Sequence, residues 1–309
     1  MAKRKRHEGQ LVTRLRFGIL GLSPGNGHPY SWSAIFNGYD PLAMASCPYP
    51  VIPTYLARQR FPDDAITDAS VTHIWTQDRA VSEHIAAASR IPEIVDAPHD
   101  MIGAVDGILL ARDDADHHYA MAAPFLDAGL PIYIDKPIAF SLAEAQRLFA
   151  RQSRPGQIFT CSALAYAHEF RPTPETLAAL GRLRFVEAST IKDWDQYAIH
   201  VLEPLHTLLS GEGAIVSLRA GGKSVRHLDI VWQSGVQGRV TALGGAHGMI
   251  GIRLFGDLGW REMIFSDTFA AFHAALRHFT DIVLGRQPPQ DPSSVFEIVR
   301  MIEAGRTVT

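Results

Sequence analysis

Cysteine is scarce. Cys47 and Cys161 are the only two in 309 residues, which excludes a disulfide framework, and neither has a Cys or His neighbour at a metal-ligand spacing. Both read as reduced structural thiols. No apolar run approaches the ~18 to 20 residues needed to span a bilayer, and the N-terminus lacks the apolar core of a signal peptide, so a cytoplasmic protein with no membrane partner is expected. Neither sign of charge dominates. Lys and Arg number 29 against 32 Asp and Glu, a formal net charge of −3, which offers no general attraction to nucleic acid. The exception, Lys3-Arg4-Lys5-Arg6, is not continued into the folded region, and residues 1–13 read as a disordered solvated tail. Repeats and low-complexity tracts are missing as well. What remains is an ordinary globular composition, 47% hydrophobic and 20% charged, in a chain long enough for two domains with separate cores.

The first ordered stretch is Leu15 to Leu20, apolar around a single arginine. It leads into Gly21-Leu22-Ser23-Pro24-Gly25-Asn26-Gly27-His28 and then a helical run from Pro29 to Phe36, the strand, glycine-rich turn and helix of a first βα unit. The turn departs from the dinucleotide fingerprint. Ser23 and Asn26 stand where glycines are wanted, with Gly25 and Gly27 off register. Its place at the first βα junction still makes Gly21, Ser23 and Gly25 candidate cofactor contacts. The next strand, Val71 to Thr76, arrives late, after Asp40-Pro41, Cys47-Pro48-Tyr49-Pro50 and Ile52-Pro53, a stretch that cannot be one continuous helix. Residues 38–62 make a long connection, either a binding lid or a docked surface loop. An acid at the end of this second strand would bond the adenosine ribose of NAD, and a nearby arginine would accept the 2′-phosphate of NADP. Thr76, Asp78 and Arg79 occupy that end and leave NAD or NADP open.

The most informative stretch is Ile132-Tyr133-Ile134-Asp135-Lys136-Pro137, a short apolar strand ending in a carboxylate and an ammonium and stopped by proline. Ser141, with Glu144 three residues on, then reads as a helix N-cap. In an open α/β sheet the carboxyl edge binds ligands, so Lys136 is a candidate catalytic group as well as an ordinary strand-end lysine. Upstream come the buried strand Val105 to Ala111, then Arg112-Asp113-Asp114, His117, a helix and Ala128-Gly129-Leu130-Pro131. This order of residues resembles the Gfo/Idh/MocA family of nicotinamide-dependent oxidoreductases, which has a strand, a turn with a later His, a helix ending in Ala-Gly and a Glu-Lys-Pro strand. Asp281 to Pro289 and the apolar helix ending Ile302-Glu303-Ala304 look like that family's closing segment. The resemblance covers nearly the whole chain from about Arg16.

It implies an N-terminal Rossmann-type doubly wound parallel sheet over 14–157 and a C-terminal α+β domain over 158–309 for substrate and oligomerisation. It implies NAD or NADP as cofactor, with Ala111, Arg112, His117, Asp135 and Lys136 among its contacts. The second half agrees in rhythm: strand candidates at 185–191, 214–218, 228–232, 238–243, 249–255 and 261–265, separated by glycine-rich turns, suggest a mostly antiparallel open sheet packed with helices at 198–210 and 268–284.

Asp193 to His206 is the second chemical cluster. The resembled family carries there an Asp, a His four residues later and an acid three beyond; His200 and Glu203 match, whereas Gln196 replaces the Asp, with Asp195 and Tyr197 on either side. Hydride transfer from an alcohol carbon needs a base for the hydroxyl proton and a cation to steady the oxyanion. The resemblance assigns these roles to His200 and Lys136. Gln196 hydrogen-bonds but cannot titrate, and the candidate replacements are the Tyr197 hydroxyl or, after a small helix shift, Asp195. His200, Glu203 and His206 do not form a metal site, because residues six apart on a helix point to different faces. The expected function is an NAD(P)-dependent oxidoreductase acting on a hydroxyl or carbonyl of a small polar molecule, a sugar, sugar derivative or cyclitol, in a homodimer or homotetramer. The competing readings are a non-catalytic cofactor-binding sensor and an NAD-assisted glycosidase.

Overall fold

The computed structural model describes residues 14–307; the basic run and the tail over 1–13 lie outside the described residues. The first half builds β1 (Leu15–Leu20), β2 (Ala69–Trp75), β3 (Glu93–Ile94), β4 (Gly107–Leu110), β5 (Ile132–Ile134) and β6 (Ile158–Phe159). They pair in parallel in the order β3-β2-β1-β4-β5-β6. Every residue of β4 and β5 is buried, as strands covered on both faces require. Leu109 and Tyr133 point to one core with Phe17, Trp32 and Phe36, while Ile108, Leu110, Ile132 and Ile134 point to the other with Phe125 and Leu148. The expected doubly wound sheet is present, and its chain order reverses between β1 and β4, where such sheets open a ligand crevice. The edge strands β3 and β6 were not anticipated. Because β6 begins at Ile158, the sheet runs two residues past the boundary drawn at 157.

The helices of this half are α1 (His28–Asn37), α2 (Pro41–Met44), α3 (Val51–Leu56), α4 (Arg79–Ser89), α5 (His118–Asp127) and α6 (Leu142–Phe149). Ser141 caps α6 as expected, accepting the Glu144 N–H and donating its hydroxyl to the Glu144 carboxylate at 3.0 Å. The proline-rich connection folds as α2 and α3, with Asp40 accepting the N–H groups of Leu42 and Ala43. It is docked: Met44 and Leu56 are fully buried, and Ser46 is joined through His84 to Tyr30. It also reaches the glycine turn, where a Cβ on Gly27 would lie 2.5 Å from Ile52 and 2.7 Å from Tyr49.

The second half contains α7 (Pro174–Ala178), β7 (Leu183–Thr190), α8 (Trp194–Tyr197), α9 (Ile199–Leu208), β8 (Ile215–Gly221), β9 (Arg226–Trp232), β10 (Gln237–Ala242), β11 (Gly251–Gly256), β12 (Trp260–Ile264), α10 (Thr268–Val283) and α11 (Pro292–Arg306). Its sheet, β12-β11-β7-β10-β9-β8, is antiparallel except for the β7–β10 pair. Val186, Ala188 and Thr190 alternate inward under the helices, and Glu187 and Ser189 face out. The outer face is laced by Arg239–Asp229 and by Arg253 with Glu187 and Glu262. The last two helices reach back to the first half, although α11 also packs on β8 and β9 of this sheet. Phe279 of α10 packs 5.4 Å from Phe17, and Glu303 of α11 accepts the Leu142 N–H at the start of α6, so the chain's end closes against the first half.

Candidate active site

The glycine turn is held by side chains reaching in from distant parts of the chain. Gly21 has to be glycine because α1 enters so close that a Cβ would lie 2.4 Å from Pro29 Cγ. Ser23 donates its hydroxyl to Asp113 Oδ1 at 2.5 Å and accepts the Asp113 N–H at 3.1 Å. Asn26 donates to Asp135 Oδ2 at 2.8 Å and accepts the His28 N–H at the start of α1. The two residues that break the fingerprint thus tie the turn to the carboxyl ends of β4 and β5. Gly25, at φ +80 with open space around it, is the position where backbone stays accessible.

Asp135 and Lys136 differ sharply in availability. Asp135 is buried, and its carboxylate takes Asn26, His28 Nδ1 at 2.7 Å and the Lys136 N–H at 2.8 Å. Burial alone would raise its pKa, but His28 and Lys136 outweigh it and hold Asp135 at about 2. Asp135 therefore braces the site from within, a different place from the cofactor contact implied by resemblance. The Lys136 ammonium reaches Asp113 Oδ2 at 3.4 Å with only 6% of its side chain exposed. Burial works against its charge, and Asp135 and Asp113 prevail, so the ammonium persists above the ordinary lysine range. Asp113 joins turn, lysine and strand end, a part that sequence reading did not give it.

At the outer end of the crevice the ribose candidates separate. Thr76 is buried with its hydroxyl turned to Asp78 carbonyl and Ser82, so it does not face a ligand. Asp78 caps α4 by accepting the Ala80 N–H, and Arg79 is paired with Asp96 and Glu83. Ala111 is fully buried at the end of β4. Arg112 and His117, with Trp75, Gln77, Pro98 and His99, line a cavity of about 430 Å³ over the ends of β2 and β4. Gln77 also clamps the turn, accepting the Leu22 N–H and donating to its carbonyl, both at 2.9 Å. The histidine that organises the β4 turn is His118, buried between the carbonyls of Arg112 and Ile138. His117 is 63% exposed; neighbouring histidines cannot be told apart without knowing the helix rotation.

The second cluster comes to the same place. Ala198 joins α8 to α9, and α9 carries His200 with Nδ1 2.8 Å from Ser162 Oγ. Burial pushes His200 well below the ordinary imidazole range, and the nearby charge of Lys136 adds to this; Asp135, His28 and Lys192 are also close enough to bear on it. The Tyr197 ring stands edge-on to His200 at 5.1 Å, and its hydroxyl accepts from Lys192. Asp195 is held by Arg306 of α11 at 3.4 Å, and Gln196, half-buried, has its N–H bonded by Asp193. Glu203 is buried and accepts the Ser162 N–H at 2.5 Å, so Ser162, which no local signal marks, links both residues. His206 pairs with Glu297 on another side of α9. Among the described residues no group of three His, Cys, Asp or Glu is placed to hold a metal ion.

Burial pushes Glu203 up to about 8 against the opposing Ser162 hydrogen bond, so the folded chain keeps it protonated at neutral pH. Unfolded, the same group ionises near ~4.3. Its contribution to stability is therefore full below that value and is lost as pH rises toward the folded pKa. Glu203→Gln is expected to be nearly neutral at pH 5 and stabilising by on the order of 2–4 kcal/mol at pH 8.5. Melting curves of both proteins across that range check it; a difference independent of pH would show Glu203 ionised in the fold.

Residues 53–162 match the model of an oxidoreductase family with an NAD-binding Rossmann fold, GFO_IDH_MocA, in agreement with the resemblance read from the Asp-Lys-Pro run. The irregular glycine turn lies before the matched segment. Among curated proteins the chain is 33% identical over 76 residues to the "Putative oxidoreductase YceM" of Salmonella typhimurium, a match covering 25% of this chain and 24% of that one. The chain thus spans about a quarter of that relative. Two solved structures share the fold: biliverdin reductase of Synechocystis with biliverdin and NADP+ (TM-score 0.71, 13% identity, 94% of this chain and 98% of that one), and myo-inositol dehydrogenase of Lactobacillus casei with NAD(H) and myo-inositol (TM-score 0.72, 14% identity, 95% and 94%). No helix among the described residues is long and apolar enough to cross a membrane.

Proposed function

From residues 53–162, which match the model of an oxidoreductase family with an NAD-binding Rossmann fold, we infer that this protein is an NAD(P)-dependent oxidoreductase acting on a hydroxyl or carbonyl carbon of a sugar, sugar derivative or cyclitol. The observation that carries the reading is a buried ammonium, Lys136, held by Asp113 at the carboxyl edge of the parallel sheet, near enough to the buried His200 for its charge to act on the imidazole. The cofactor fits the residues present. The open backbone at Gly25 before α1 suits a diphosphate, and the 430 Å³ cavity with Trp75 and Gln77 suits the adenosine half. Bound nicotinamide would supply the hydride acceptor or donor.

The chain's own residues do the rest. In the oxidative direction His200 takes the hydroxyl proton; the tautomer that donates Nδ1–H to Ser162 leaves Nε2 free to accept it. Lys136 steadies the alkoxide that develops as that proton leaves, and Asp113 with Asp135 fixes the ammonium in place. Tyr197 orients His200 through its ring edge, and Gln196 is left to hydrogen-bond substrate. The substrate class leans on the inositol dehydrogenase neighbour, and the biliverdin reductase neighbour shows that the fold alone does not fix it. Two copies are proposed to pair through the outer face of the second sheet, where Trp260 is 64% exposed, in a cytoplasmic oligomer.

Calorimetric titration of the full chain with NAD and with NADP, followed by a thermal-shift panel of sugars and cyclitols in the presence of the cofactor that binds, tests the reading. One form is expected to bind at micromolar strength and one compound to raise the melting temperature further and change nicotinamide absorbance. Binding of neither form would replace the oxidoreductase reading with a regulatory one.

A further inference from the structure

A second cavity, about 310 Å³, lies between the start of α8, the β8–β9 turn and the end of β10, and is lined in part by Lys192, Asp193, Asp195, Lys223, Ser224 and Arg226. Its carboxylates are engaged in part, with Asp195 Oδ1 left without a hydrogen-bond partner among the described residues. Asp193 accepts the Gln196 N–H at 2.9 Å, and Asp195 faces Arg306 at 3.4 Å. Its cations are not: Lys223 is exposed, Arg226 is half-buried, and among the described residues neither has an ion-pair partner. Lys192 adds a third positive charge, its ammonium 4.4 Å from the centre of the Tyr197 ring. Positive charge is left over on walls that enclose a small-molecule volume.

The backbone is arranged to bring these cations together. Lys192 sits at φ 58, a left-handed conformation that a lysine adopts only under constraint. The constraint is an isolated bridge to Gly244, whose N–H donates to the Lys192 carbonyl at 2.7 Å. Gly244 is itself required, because a Cβ there would lie 2.2 Å from the Ser224 carbonyl oxygen. That glycine lets the turn carrying Lys223 close against Lys192. One side chain, Tyr197, then separates the cluster from His200: it takes the Lys192 ammonium on its hydroxyl and presents its ring edge to the imidazole.

We propose that this cavity is an anion subsite, formed by Lys192, Lys223 and Arg226, that binds the carboxylate or phosphate of a substrate whose reacting carbon lies at His200. The proposal rests on the oxidoreductase reading and narrows its substrate class to acidic sugars or sugar phosphates. Charge-assisted contacts of this kind, partly open to solvent, give about tenfold in affinity.

The test uses the cofactor-saturated full chain titrated with glucose, glucuronate and glucose 6-phosphate, in wild type and in the double variant K223A/R226A. At least one anionic compound is expected to bind about tenfold more tightly than glucose, and the double variant is expected to lose that advantage with cofactor affinity and melting temperature kept. Preference for glucose 6-phosphate identifies a phosphate site, and preference for glucuronate a carboxylate site. Equal binding of charged and neutral compounds, binding of none, or full retention in the double variant overturns the proposal; K223A alone serves if the double variant melts early. Inorganic phosphate titrated into the cofactor-free chain separates the two readings: a phosphate site lost in K223A/R226A together with no NAD or NADP binding would leave the subsite standing and remove the oxidoreductase.

Discussion

Lys136→Ala is expected to lower kcat/KM by about a thousandfold or more, the scale on which preorganised charge at a developing oxyanion acts. The ammonium is held by Asp113 at 3.4 Å with only 6% of its side chain exposed, and the Asp135 charge adds to its hold. Its loss also removes a nearby positive charge from two buried carboxylates. Asp135 keeps His28 and Asn26, whereas Asp113 keeps only Ser23 among the described residues, so a fall of about 1–3 kcal/mol in stability accompanies the loss of turnover. Lys136→Arg is not expected to rescue activity, because a planar guanidinium has neither the room nor the point-charge geometry of the ammonium. Turnover and thermal melting measured on the same preparations separate the two effects. Full activity in Lys136→Ala would remove the lysine from the chemistry.

What the sequence made legible follows from how local each signal is. The apolar runs of β4, β5 and β1 from Phe17 onward are buried on both faces, and their composition alone declares a parallel sheet. Lys136 was visible because a proline stops its strand, and Ser141 because its helix cap lies within four residues. The glycine turn is less legible for the opposite reason. Ser23 and Asn26 look like lost glycines, and the partners that explain them, Asp113 and Asp135, lie 90 and 109 residues away. Thr76 stands at the right strand end, but its hydroxyl satisfies the turn that starts α4, a competition only packing decides. Strands of two residues, such as β3 and β6, carry no periodicity to read. Ser162 shares the limitation: its importance comes entirely from α9 presenting His200 and Glu203 to it.

The pairing of His200 with Ser162 and Glu203 gives the second large prediction its shape. His200→Ala is expected to lower kcat by about 10²- to 10⁴-fold, the range of a positioned general base, with little change in cofactor affinity. A structural role would also lower kcat, so the pH profile carries the argument. Burial and the Lys136 charge hold the imidazole neutral well below its ordinary range, and wild-type kcat/KM for alcohol oxidation should be flat through the ordinary imidazole range and fall only on its more acidic side. In His200→Ala that acid limb disappears from the residual rate. On the alkaline side Glu203 loses its proton at about 8, placing a negative charge beside Ser162 and making the imidazole a stronger base. Wild type should therefore show a second inflection near that pH, and Glu203→Gln should remove it while leaving the acid limb intact. An acid limb centred on the ordinary imidazole value, or one that persists without His200, would place the proton transfer elsewhere, with Tyr197 as the next group in reach.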